Sequence, residues 1–166
     1  MSSKKIAKQF VDDTTGHILD TTHKVMKEFT GDKSKSEKIL KNIIKTIIKV
    51  GILYRNDQFS ADELKIAESF KSKFHSLAMT VISFHQVDFT YDKGFLKTSV
   101  EECRQILQSL IARHLTDKSK GRVDMVFDFF TGDELMDAIF DPNGKFKGHM
   151  DSITADLNKL MDEGNL

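Results

Sequence analysis

Between Ile39 and Ile52 the apolar residues come in pairs four positions apart: Ile39 with Leu40, Ile43 with Ile44, Ile47 with Ile48, then Ile52. This is the period of an α-helix with a wide apolar arc. Ser34-Lys35-Ser36-Glu37 just upstream has the Ser-x-x-Glu spacing of a capping box, and Asn56-Asp57 reads as a turn that ends the helix near Arg55.

The same grammar runs through the rest of the chain. Asp12-Asp13-Thr14 offers a cap for a helix to about Phe29, with Ile18, Leu19, Val25, Met26 and Phe29 apolar and Gly31 as its stop. Ser60-Ala61-Asp62-Glu63 repeats the capping-box spacing ahead of Ala67, Phe70, Phe74, Leu77, Ala78, Val81 and Ile82. Asp92 caps a fourth helix that carries Leu96, Val100, Cys103, Leu107, Leu110 and Ile111 and ends near His114. A fifth is expected to start near Ser119 with an early interruption at Gly121, and a short sixth covers Asp133–Phe140. The turn Asp141-Pro142-Asn143-Gly144 follows, then a last helix from about Phe146 to Glu163 with Met150, Ile153, Leu157 and Leu160 inward. No run alternates with period two, so no strand is expected. With one proline and nine glycines in 166 residues, little interrupts the helices. Short connections predict that sequential helices are antiparallel neighbours. The expectation is an all-α fold, one antiparallel bundle of six to seven helices over residues 1–166.

Charge and cysteine content exclude several classes. Twenty-five Lys+Arg balance twenty-five Asp+Glu, so net charge does not argue for nucleic acid. The halves differ: residues 1–75 hold 15 basic and 10 acidic residues, and residues 76–166 hold the reverse. That asymmetry suits either an ordinary solvated surface or a basic face for an anionic partner. A single cysteine, Cys103, excludes an internal disulfide framework and a cysteine-based zinc site. The gaps between charged residues are too short for a transmembrane helix, and Lys4, Lys5 and Lys8 are followed by no signal-peptide core, which makes a reducing cytoplasm the expected compartment.

No catalytic constellation is visible. There is no phosphate-binding glycine loop, and Asp141–Gly144 lacks the glycine and glutamate positions of a calcium loop. His17 and His23 are six apart, poor spacing for two metal ligands on one helical face. Asp124 and Asp128 could share a cation, but exposed acidic pairs on helices are ordinary. Cys103 and His114 lie on an apolar stripe, and a buried thiol and a satisfied core histidine are the simpler readings. Neither a metal nor a cofactor is expected.

The informative residues are charges at apolar positions. Arg55 follows Ile48 by seven residues, about 20° away on the helical wheel, and so continues the apolar stripe. Lys71 is four after Ala67 and three before Phe74, again within the arc, and His85 is near the centre of that stripe. Lys38, Lys41, Lys45 and Lys49 line one flank of the preceding helix. Three readings stay open: snorkelling stems along a core edge, a buried carboxylate opposite Arg55, or an apolar interior with a cation-lined mouth suited to an amphiphile. Under the last, candidate lining positions are Ile44, Ile48, Ile52, Phe70, Phe74, Leu77, Val81, Val100 and Leu107.

Three segments resemble signatures of the tumour-necrosis-factor-α-induced protein 8 (TIPE) family: Ile52-Leu53-Tyr54-Arg55-Asn56-Asp57-Gln58-Phe59, the run Ala78 to Thr90, and Arg113-His114-Leu115-Thr116 with Lys118-Ser119, Gly121-Arg122-Val123 and Val126-Phe127-Asp128. Leu160-Met161-Asp162-Glu163-Gly164 fits as well, so the resemblance covers nearly the whole chain. It implies an antiparallel helical bundle around an apolar central cavity. It implies non-enzymatic binding, transfer or presentation of phospholipids and phosphoinositides, in regulation of apoptosis, cell death and inflammation. It also implies transient contact with a membrane surface and headgroup contact by Arg55, the arginine of the L-x-R-N segment, and by Lys71 after Phe70. Some relatives carry arginine at that second position, so Lys71 keeps the charge without the bidentate fork. Family members usually have a longer basic N-terminal extension before the point where Met1 stands, a departure that bears on membrane docking. The alternative function is a helical adaptor acting through death-pathway or small-GTPase components; nucleic acid is not an expected partner.

Overall fold

The computed structural model describes residues 12–87 and 89–164, and within them every regular element is an α-helix. The seven are α1 (Asp13–Thr30), α2 (Lys33–Arg55), α3 (Ala61–Gln86), α4 (Lys93–Ile111), α5 (Asp117–Phe130), α6 (Asp133–Ile139) and α7 (Lys147–Asp162). The expected roles of Lys4, Lys5, Lys8 and the apolar residues beside them lie outside the described residues.

The caps explain most boundaries. Asp12 accepts from the Thr15 amide at 2.7 Å, and Gly31 closes α1 in the left-handed region at φ 62°. Ser60 and Glu63 form the full reciprocal box: the Glu63 amide donates to Ser60 Oγ and the Ser60 amide to Glu63 Oε1. Asp92 caps α4 through the Phe95 amide at 3.0 Å.

Two starts differ from the sequence expectation. Asp32, not Ser34, caps α2, by accepting from the Lys35 amide at 3.0 Å. A carboxylate suits the positive helix end better than a hydroxyl does. Thr116, not Ser119, caps α5: the Ser119 amide donates to Thr116 Oγ1 at 3.2 Å, and the Ser119 hydroxyl instead accepts from Lys49 Nζ at 2.6 Å. Gly121 sits inside α5 without breaking it.

The helices form a closed ring in the order α1, α2, α5, α4, α3, α7 and back to α1, with α6 packed on α4. Sequential helices are neighbours for α1/α2, α3/α4 and α4/α5, but α2 and α3 do not pack along their lengths despite their short connection. That corrects the simple up-and-down expectation, and it leaves a gap where α2 ends and α3 begins. The core is nevertheless dense: Met26, Ile111, Met136 and Val123 are fully buried, each a side chain of the class worth about 1.5–3 kcal/mol on burial. At the α6 end, Tyr91 stacks on Phe140 at 5.0 Å, Phe84 meets Phe140 edge-on at 6.0 Å, and Phe29 packs on Phe129 and Phe146. These aromatic contacts close that end of the ring.

Candidate functional site

Inside the ring is an apolar cavity of about 390 Å³. Phe74, Leu77 and Val81 of α3 and Val100 of α4 face it, with Val126 and Phe127 of α5 opposite and Met136, Met150 and Leu157 of α6 and α7 completing the wall. Thr22 is the one polar residue in the lining. A second pocket of about 500 Å³ lies at the next level along the bundle, in the gap between α2 and α3, with Leu107 and Leu110 of α4 also in its lining. The two levels meet at Phe70 and Phe74, whose stacked rings are 6.0 Å apart: Phe70 lines the outer pocket and Phe74 the inner cavity.

Arg55 lines the outer pocket, together with Ile47, Val50, Gly51, Tyr54 and Phe59. It is the last residue of α2 and is exposed. Lys71 is placed elsewhere. It is exposed and lines a shallow depression with Glu68, Ser72 and His75, so the two cations are not brought into one pocket.

Of the candidate lining residues, Phe74, Leu77, Val81 and Val100 face the inner cavity, and Phe70 and Leu107 the outer pocket. Ile44 is buried in the packing between helices, Ile48 is half-buried, and Ile52 is 46% exposed; none of the three lines either volume. Neither His85 nor His114 lines either of these two volumes. His85 Nε2 lies 2.6 Å from Asp151 Oδ1, and His114 packs edge-on against Phe59 with Nε2 2.9 Å from Glu63 Oε2. Glu63 also accepts from Arg113 at 2.7 Å, and the Arg113 hydrogen bond, the Ser60 amide and His114 together hold its carboxyl far below the usual carboxylate range. This cluster ties the start of α3 to the end of α4 beside the outer pocket.

Asp124 and Asp128 share a cation of the chain itself: Arg104 reaches Asp128 at 2.7 Å and Asp124 at 3.6 Å, and lies over the Phe127 ring. Cys103 is buried, and burial pushes its thiol pKa up. Among the described residues no group of three His, Cys, Asp or Glu side chains is placed to hold a metal ion, and no helix is long and apolar enough to cross a membrane.

Sequence reasoning missed a second charged feature. Lys38, Lys41 and Lys45 of α2 face Lys118 and Arg122 of α5 across a groove of about 360 Å³ floored by Asn42, Gly121 and Met125. Lys49 is not in it, because its ammonium turns to Ser119 Oγ. The lysine spacing was visible in sequence; the α5 half depends on which helix packs against α2.

A family model described as "Tumor necrosis factor alpha-induced protein 8-like" matches residues 1–164. The chain is 50% identical to tumor necrosis factor alpha-induced protein 8 of Homo sapiens over 166 residues, all of this chain and 84% of the relative. It is 46% identical to a tumor necrosis factor alpha-induced protein 8-like protein of Drosophila pseudoobscura pseudoobscura over the same span, 88% of that relative. It is 42% identical to the 8-like protein 1 of Danio rerio, of which 89% is covered. With this span and identity, and with the all-helical ring built by the matching residues, the chain belongs to the tumor necrosis factor alpha-induced protein 8 family.

Proposed function

We propose that the protein binds a phospholipid or phosphoinositide, with the acyl portion in the inner cavity and outer pocket and the anionic headgroup at Arg55, and that it carries or presents this lipid at membrane surfaces from the cytoplasm in the control of cell death and inflammatory signalling, without catalysing a reaction. The observation that carries this reading is the pair of apolar volumes in tandem, one with Arg55 on its lining. An apolar space of this size with a single cation at the rim suits an amphiphile better than a polar substrate. Exposed Ile52 and Tyr54 beside Arg55 add apolar surface at the same end of α2. Lys71, on the outside of α3, is a candidate for longer-range attraction to an anionic surface.

The test is extraction and mass spectrometry of lipid from the purified protein, paired with vesicle binding. Lipid is expected from the wild type and less from Val100→Phe, which fills the inner cavity. Arg55→Gln is expected to weaken binding to phosphoinositide vesicles. Protein that carries no lipid and binds vesicles equally with and without Arg55→Gln overturns the proposal, and leaves action through protein partners as the reading.

A further inference from the structure

The groove between α2 and α5 is, we infer, a second ligand site, for a compact and multiply phosphorylated anion of the size of an inositol polyphosphate, separate from the apolar pocket at Arg55. Five cations converge on it: Lys38, Lys41 and Lys45 at helical spacing on α2, and Lys118 and Arg122 four apart on α5. No carboxylate is in its lining. Among the described residues none of the five cations forms an ion pair, whereas Lys73, Lys93, Lys97, Arg104 and Arg113 all do. Even in the linear sequence, Lys38 to Arg55 contains no Asp or Glu.

The geometry is fixed before any ligand arrives. Lys49 Nζ donates to Ser119 Oγ at 2.6 Å and Asn42 Nδ2 to Met125 Sδ at 3.1 Å, so the two helices are tied within the groove and again just beyond Lys45. The cations are crowded enough to feel one another: Arg122, then burial, then Lys118, push the Lys45 ammonium pKa below its ordinary value. Gly121 offers a probe of the groove floor. A glycine inside a helix is unfavourable, yet a Cβ here would meet no protein atom within 4 Å. Internal packing therefore does not require it, and its effect is to leave the groove floor open.

The lining also selects the class of ligand. It contains no aromatic side chain on which a base could stack, which disfavours a nucleotide or single-stranded nucleic acid. Met125 is the only large apolar residue, too little to anchor a peptide. What remains is dense positive charge in a confined space, which suits several phosphate groups on a small scaffold. That chemistry occurs both in free inositol phosphates and in phosphoinositide headgroups. Lys45 is ten residues from Arg55, about 15 Å along α2, so the groove and the pocket rim are distinct places.

The test uses the full chain and inositol hexakisphosphate in calorimetric titration, then vesicles of phosphatidylcholine with either a phosphatidylinositol bisphosphate or phosphatidylserine at matched charge. Inositol hexakisphosphate is expected to bind the wild type and Arg55→Gln equally. Lys45→Met/Arg122→Met should lose about a hundredfold in affinity, since hydrogen bonds to charged groups are at stake. Gly121→Leu is the control for folding: it should raise the melting temperature and still weaken binding, a combination that no structural role for Gly121 produces. Vesicle binding that falls with the groove variants and is competed by inositol hexakisphosphate assigns the headgroup as the source; hexakisphosphate binding without vesicle competition assigns a free phosphate. Equal affinity in wild type and the groove variants overturns the site, as does tighter binding of a single-stranded oligonucleotide or of polyglutamate at the same residues. Failure of the Arg55 reading shows instead as vesicle binding indifferent to Arg55→Gln, so the two readings fail separately.

Discussion

Along α7 the polar contacts to other helices each set a histidine ring against a carboxylate, while across the α2–α5 contact cations meet cations. His149 of α7 lies 3.0 Å from Glu28, Asp151 lies 2.6 Å from His85, and Asp156 approaches His17, so α7 is tied to α1 at two levels and to α3 at a third. At the groove, Lys38, Lys41 and Lys45 face Lys118 and Arg122, and the helices hold together through Lys49–Ser119 and apolar packing below the charges. The first arrangement is complete within the chain. The second leaves like charges facing one another, with no carboxylate in the groove lining. Both helices also wall the inner cavity, through Ile43 of α2 and Met150, Ile153 and Leu157 of α7. The cavity therefore has one wall fastened by pairing and one under mild electrostatic strain.

Pairing should break hardest at Glu63, where one carboxylate serves the α3 cap, Arg113 and His114. Glu63→Ala removes all three contacts and is expected to lower the melting temperature by about 5–10 °C. Its folded-state carboxyl is held below the unfolded value, so its contribution is full above the unfolded value and is lost as pH falls through the folded one. Melts of the wild type should therefore hold steady near neutrality and decline in acid, and those of Glu63→Ala should decline less. An unchanged melting temperature would sink the view that this cluster fastens α3 to α4.

Asp151→Asn is the equivalent probe of the α7 seam, with a smaller expected loss of about 2–4 °C because the pair is partly solvated. The hydrogen bond from His85, with lesser help from Lys147, holds the Asp151 carboxyl below its ordinary range. By the same sign its stabilisation is present above that range and fades as the carboxyl protonates. Hydrogen exchange should show faster opening of α7 in this variant than in the wild type. Equal exchange would mean that apolar packing alone holds the helix.

Much of this division was legible in the sequence, and the limit is physical. Helix periods and the caps Asp12, Ser60 and Asp92 are local, so they could be placed without tertiary knowledge. The α2 lysines were legible for the same reason. Their partners on α5 were not, because α2 skips its sequence neighbour α3 and packs against α5. Lys71 looked equivalent to Arg55 on a wheel, but the α3 arc is wide and Phe74 itself is 39% exposed, so membership of the arc does not mean facing the cavity. Ile52 differs in the same way: it is 46% exposed while its neighbours Gly51 and Arg55 line the outer pocket.

The smallest effect is the most pointed. Lys45→Glu places a carboxylate against Arg122 and Lys118, the two groups that most depress its ammonium after burial is counted. Where the wild type carries repulsion, this variant carries attraction, so its melting temperature should rise by about 1–2 °C. Salt then separates the two regions. In the wild type, added sodium chloride screens both the groove repulsion and the α7 pairs, and the two changes oppose each other. In Lys45→Glu one carboxylate stands among four remaining cations, so added salt has less repulsion to relieve and some attraction to weaken, and the melting temperature should fall more steeply with ionic strength than in the wild type. Parallel salt series for the two proteins would break the comparison, because the α2 lysines would then be ordinary solvated charges with nothing to lose by being screened.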